Sequence, residues 1–315
     1  MRSLVLRRLT QFIPVLILVS LVAAGLTELI PGSPGQRVLG EFATAERIAD
    51  FDAKIGADLP FFERYASWLG NALRGDLGVS PISRIGVSQA ILNTMPVTLE
   101  LAGLTMLISL MIAVPLAVLS AGNEQSAADR IITGGSAAIL AMPSFVVAVS
   151  VTHVIAVQLG WVPSFGWNRW SAGVGAHLKT LALPLLVLVS VVAPIFTRVL
   201  RADLVATLRQ DFVLSARARG FSDARILFLH VLRPSLTSLL TLTGLVFGYL
   251  VGGSIVVETF FGVPGLGQLV ARSINSKDIL VVQGIVLYVA FAYLLLNLLV
   301  DILQALVDPR LREAR

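Results

Sequence analysis

The chain is 315 residues long, 56% hydrophobic and only 14% charged, where a soluble globular domain carries about 25% charged residues. It has no cysteine, which excludes disulfides, thiol catalysis and cysteine-held metal. Its formal net charge of +5 is spread over separate loops and forms no basic run of the sort that grips nucleic acid, so the composition points to an all-α membrane protein.

Residues 1–11 carry Arg2, Arg7 and Arg8, and residues 12–30 form an apolar run. A span needs roughly 20 apolar residues to cross a hydrocarbon core of ~30 Å. A cleaved signal peptide has a shorter apolar stretch with its small residues behind it. Here Ala23, Ala24 and Gly25 lie inside the run, so it reads as an uncleaved first span. Pro31-Gly32-Ser33-Pro34-Gly35 closes it with a strong turn signal. Residues 31–96 read as an external segment. Across Phe61–Leu73, Tyr65, Trp68, Leu69 and Leu73 recur at helical spacing, the pattern of a short amphipathic helix on the membrane surface.

Five further stretches, Leu101–Asn123, Ile131–Thr152, Thr180–Thr197, Pro234–Val257 and Ile279–Val300, hold no charged residue and are long enough to span. The expectation is six transmembrane helices, with a five-helix core over residues 97–307 and a C-terminal tail at 308–315. Pro115, Pro143, Pro184 and Pro194 are expected to kink spans or end them. Trp161, Trp167 and Trp170 share one loop and read as headgroup anchors.

Lys and Arg in short loops set orientation. The N-terminal arginines fall on one side with Arg130, Arg198, Arg201, Arg209, Arg217, Arg219, Arg225, Arg233, Arg310, Arg312 and Arg315. The short loops of the other side hold only Arg169, Lys179, Arg272 and Lys277. Both termini are therefore expected in the cytoplasm.

Ionisable residues inside a membrane are functional candidates by default. Glu28 and Glu100 fall near span ends and read as reaching the headgroups. His153 lies deeper, with Gln158 further along. Its plain reading is a histidine satisfied by a helix neighbour, and it is the one candidate for a substrate path. Asn297 reads as interhelical glue, worth roughly 0.6 kcal/mol.

The connector at about 201–234 is too long for a simple turn and too basic for lipid. Leu204, Val205, Leu208 and Phe212 are spaced for one helix face. Gly220 followed by Phe221 fits a left-handed helix cap. Ser222 suits the N-cap of a second helix, and Asp223 suits its positive end. Two short helices joined by a tight glycine turn are expected here.

The segment DFVLSARARGFSDARILFLHVLRPSL resembles the coupling loop of ATP-binding-cassette importer permeases. That family's pattern is Glu-Ala-Ala, three residues, then Gly. Leu214, Ser215 and Ala216 hold the first three places and Gly220 the last, so the glutamate is missing. Ser215-Ala216-Arg217-Ala218-Arg219-Gly220 is similar at every place to the string usual in dipeptide, oligopeptide and nickel permeases. LVLRRLTQFIPVLILVSLVAAGLTELIPGSP, NTMPVTLELA, VETFFGVPGLGQLVARSI and VDILQALVDPRLR resemble in order that subfamily's first span, the start of its second, the loop after its fifth, and its C-terminus. The likeness is to the first of its two paired permeases.

The resemblance implies a multi-pass inner-membrane permease subunit importing di- or oligopeptides and forming half of a translocation path. The implied partners are a second homologous permease, two ATP-binding ATPase subunits and an external substrate-binding protein, with lipid around the spans. It implies a cytoplasmic ATPase-coupling loop made by Asp211, Phe212, Ser215, Ala216, Arg217, Arg219, Gly220, Phe221 and Asp223. No catalytic residue, metal site or cofactor is expected in this chain. It lacks the Gly-x-x-x-x-Gly-Lys-Ser/Thr phosphate loop, and its densest glycine string, from Gly262 to Gln268, lacks the lysine and reads as an external turn or re-entrant segment. Nickel chelates and oligosaccharides are alternative substrates within the same resemblance. A stand-alone secondary transporter would need mid-span carboxylates for its coupling ion, and a membrane hydrolase a nucleophile–base set or a zinc helix; neither pattern is present.

Overall fold

The computed structural model describes residues 2–28, 32–40, 43–54, 56 and 58–307. Residues 29 and 30 of the expected first span, Pro31 of the expected turn and the tail at 308–315 lie outside the described residues. In chain order run α1 (Arg2–Glu28), α2 (Pro34–Leu39), α3 (Ala45–Lys54), α4 (Phe61–Ala72), α5 (Val87–Gly122), α6 (Ala127–Ala141) and α7 (Ser144–Thr152). They are followed by α8 (Val174–Leu208), α9 (Asp211–Ala218), α10 (Asp223–Arg225), α11 (Leu232–Gly253), α12 (Ile255–Phe261), α13 (Leu266–Asn275) and α14 (Ile279–Val307). α7 runs on through a π-helical turn, His153–Gln158, and α10 through another, Ile226–Val231, into α11. Among the described residues the all-α polytopic architecture is the one found, one of the ways in which lipid-exposed backbone groups can all be bonded to each other.

Among the described residues, five helical stretches are long and apolar enough to cross a membrane: Arg8–Gly25, Val87–Gly122, Val174–Leu208, Asp223–Gly252 and Ile279–Ile302. The sixth candidate is a bent pair, Ala127–Ala141 with Ser144–Gln158, turning through 100°. The uncharged run Ile131–Thr152 is thus not one straight helix. Met142, the residue before Pro143, is extended at φ −89 and ψ 131, because a proline ring pushes its predecessor out of the helical region. Pro184 and Pro194, in contrast, remain inside α8.

Helices also outrun the apolar stretches. α5 begins at Val87, well before Leu101, and its 36 residues measure about 54 Å. The run Pro234–Val257 is divided, because the chain breaks at Ser254 and restarts as α12.

The described residues form two compact units, 98–263 with 296–307, and 2–97 with 264–295. α8 is the centre of the first. Of its apolar stretch 67% is buried, against 17% for that of α14, and α6, α7, α11 and α12 all pack on it. Leu181, Val187, Phe196, Leu200 and Leu204 are fully enclosed. Small residues let neighbours close in: a Cβ on Gly244 of α11 would stand 2.8 Å from Cγ2 of Val300.

In the second unit side chains join α4 to α1, with Tyr65 Oη 2.8 Å from Ser20 Oγ and Arg64 paired with Glu28. Ser33 caps α2 by accepting from Gln36 N at 3.2 Å, with Pro34 at the first helical position, where its missing N–H costs nothing. The turn between α13 and α14 is tied to the same unit by a hydrogen bond from Ser80 to buried Asp278.

Candidate functional site

α8 ends at Leu208, and Gln210 is extended at φ −79 and ψ 153 before α9 begins at Asp211. The expected continuous face from Leu204 to Phe212 is therefore broken: Leu204 is fully buried in α8, while Phe212 starts a new helix 40% exposed. Polar Arg209 and Gln210 end the helix and turn the chain. Asp211 in the first turn of α9 and Arg217 in its last match the helix dipole at both ends.

α9 closes as a Schellman motif. Phe221 N donates to Ala216 O at 3.2 Å, and Gly220 N to Arg217 O at 2.9 Å. Gly220 has φ +82, where only glycine is free of strain. Ser222 then accepts from Arg225 N at 3.4 Å as the cap of α10, with Asp223 in the first turn. Across the turn Arg217 Nε donates to Asp223 Oδ1 at 3.1 Å. The glycine turn and the cap stand where the sequence places them.

The turn is braced from behind. The Phe221 ring stacks on His230 with centroids 5.7 Å apart, and the Arg225 guanidinium lies 4.6 Å over the same ring. Val213, Ile226 and Val231 are fully buried, each worth roughly 2 kcal/mol of apolar burial. α8 and α9 both pack on the turn Ile226–Val231. What faces outward is different in kind. Asp211, Ser215, Arg217, Arg219, Gly220 and Asp223 are exposed, and a Cβ on Gly220 would meet nothing within 4 Å. Ala216, in contrast, is buried, so it supports the surface and does not form it.

Beside the connector lies a cluster the sequence reading missed. Arg201 on α8 grips Asp129 of α6 with both prongs, Nε to Oδ1 at 2.6 Å and Nη2 to Oδ2 at 2.7 Å. Arg201 Nε also donates to Ser120 Oγ of α5 at 2.9 Å, and Gln125 N to Asp129 Oδ2 at 2.9 Å. One buried carboxylate thus fixes the ends of three long helices next to the connector. The partners are far apart in sequence, and nothing local marks them.

At the other end of α8 the His177 ring is fully buried. Its Nδ1 donates to the Asn168 carbonyl at 2.6 Å, and its Nε2 lies 2.8 Å from Glu100 Oε1. Trp170 stacks on it at 4.1 Å and Trp167 meets it edge-on at 5.0 Å. Glu100 therefore holds a histidine instead of reaching outward, and two of the three loop tryptophans close over that histidine. Glu28 is paired with Arg64. His153 is exposed, in a π-helical turn, and its Nε2 accepts from Gln158 at 3.1 Å. Gly262 caps α12 in the left-handed region at φ 69. Among the described residues no three His, Asp or Glu side chains are placed to hold a metal ion.

Comparison with known proteins gives this arrangement a setting. Residues 113–313 match the family described as binding-protein-dependent transport system inner membrane component, and residues 1–102 its N-terminal region. A peptide transport system permease protein of Brucella abortus is 34% identical, with 99% of each chain covered. The glutathione transport system permease protein of Escherichia coli (strain K12) is 32% identical, again with 99% of each covered. Among solved structures, a chain of the inward-facing MetNI methionine ABC transporter superposes with a TM-score of 0.56 at 16% identity, covering 70% of this chain and 97% of that one.

Proposed function

We infer the function from kinship: this chain belongs to the binding-protein-dependent transport system inner membrane components. It is a permease subunit of an ATP-binding-cassette importer, a multi-pass protein of the bacterial inner membrane. Its substrates are short peptides, a reading supported by full-length relatives named for peptide and glutathione transport. It supplies half of the path beside a second, homologous permease, receives substrate from an external binding protein, and leaves ATP hydrolysis to two ATPase subunits.

The observation that carries the coupling role is the exposed turn at Gly220. It projects from a rigid base, is closed by hydrogen bonds of its own, and leaves open space where any side chain would stand. Such a turn can enter a groove on an ATPase and pass its displacement through α9 and the buried Ile226–Val231 turn into α8 and α11. Asp211, Phe212, Ser215, Arg217, Arg219, Phe221 and Asp223 form the surface around it, and Ala216 holds that surface to the core. In this orientation the connector and both termini are cytoplasmic.

The test is purification of the tagged chain from its own membrane in mild detergent, with partners identified by mass. Recovery of a second permease and ATPases is expected. A folded chain recovered without any ATPase would overturn the assembly.

A further inference from the structure

We propose that the unit built from Arg2–Val97 and Pro264–Leu295 holds a binding site for a short peptide with free termini, in a cavity between α4 and the turn joining α13 to α14. The cavity measures about 550 Å³, inside the range of roughly 300–1,000 Å³ usual for small-molecule sites. Its walls bring together Glu28, Arg64, Tyr65, Trp68, Lys277 and Gln283.

Gln283 is 9% exposed and lines the cavity. A carboxamide both donates and accepts, so it can pair with a ligand that offers both, as a peptide group does.

Lys277 has φ +59. It closes α13 with the same pair of bonds that Gly220 uses in α9, Lys277 N to Ile274 O at 3.1 Å and Asp278 N to Ser273 O at 2.7 Å. Glycine is the residue such a place favours, and a strained non-glycine points to use. The Lys277 side chain is exposed at the cavity wall and makes no ion pair among the described residues, so its ammonium is available to a carboxylate.

The same lining supplies the other sign. Glu28 is paired with Arg64, so a ligand meets charges of both signs. Tyr65 is fixed by Ser20, and Trp68 by a hydrogen bond from Nε1 to Leu77 O at 3.4 Å, which gives apolar side chains a firm aromatic face. Lys277 can meet a terminal carboxylate, the half-exposed Glu28 a terminal ammonium and Gln283 an internal amide, a combination that a headgroup carrying only negative charge leaves partly unused. The choice of a peptide over other zwitterions rests on the transport function proposed above.

The experiment uses the full chain in detergent, titrated with the tripeptide Ala-Phe-Ala and with its N-acetylated, C-amidated form. Expected are saturable binding of the free tripeptide, at least tenfold weaker binding of the capped form, and at least a tenfold loss in Lys277→Gly and in Gln283→Leu. Lys277→Gly relieves the strained turn, so its thermal midpoint should hold or rise, which separates lost binding from lost folding. Equal binding by Lys277→Gly, no saturable binding to the unaltered chain, or Lys277-dependent binding of phosphatidylethanolamine that the tripeptide does not displace would each overturn the proposal. Peptide uptake by the reconstituted transporter separates the two readings. Uptake without tripeptide binding to the chain rejects the cavity alone, and no uptake at all rejects the importer.

Discussion

At Gly220 the backbone and the space around it make separate demands. With φ +82 and nothing near its Cβ position, a substitution strains the turn without a clash inside the chain. Alanine costs about 1–2 kcal/mol there, asparagine less because it visits the left-handed region more readily, and a β-branched residue most. Uptake per chain is expected to fall in the order Gly, Asn, Ala, Val while membrane abundance holds, measured by substrate accumulation against quantitative immunoblots. Full uptake in Gly220→Val at normal abundance would reject the docking role. The Asp129–Arg201 pair behaves differently. Arg201→Ala strands the buried Asp129 carboxylate and is expected to cost about 3 kcal/mol. The double variant Asp129→Ala, Arg201→Ala should be destabilised by clearly less than the sum of the singles. Thermal unfolding of the four proteins in detergent checks this, and strict additivity would mean that the pair is not a coupled unit.

At the scale of elements, the connector depends on its aromatic brace. Phe221 both stacks on His230 and carries the Arg225 guanidinium, contacts of roughly 0.5–1.5 and 0.5–1 kcal/mol. Phe221→Ala should loosen α9 and α10 together, read as several-fold faster trypsin cleavage after Arg217 and Arg219. An unchanged cleavage rate would show that burial of Val213 and Ile226 suffices. The glycine turn, the Ser222 cap and the amphipathic α4 were legible in the sequence because each rests on neighbours within a few positions. Helix ends were not: α5 starts at Val87 through residues that are polar yet helix-compatible, and hydropathy reports only where lipid is tolerated. Nor does a proline declare its effect. Pro143 breaks a helix, whereas Pro184 and Pro194 are absorbed by α8. The polar clusters were hidden for a stronger reason, since Asp129 and Arg201 are 72 positions apart and Glu100 and His177 are 77. Only the folded chain brings them together.

For the molecule as a whole, the absence of cysteine makes orientation directly testable, since any introduced thiol reports alone. With the proposed topology, Ser215→Cys should resist a membrane-impermeant maleimide in intact cells and Ser276→Cys should react with it. The reverse pattern would invert the chain. In inside-out vesicles, Ser215→Cys should be labelled slowly while the ATPases are bound and faster once they are stripped.

Phe212 and Leu214 of α9 are 40% and 62% exposed. In the proposed orientation they face water until a partner covers them, and exposed apolar groups of this kind invite association. The chain therefore carries its own mark of being an orphan. Made without its partners it should be cleared by the quality-control proteases of the membrane, and its half-life in a pulse-chase should lengthen several-fold when the ATPases are co-produced. Stoichiometry would then be set by degradation of the surplus, without any need for matched synthesis.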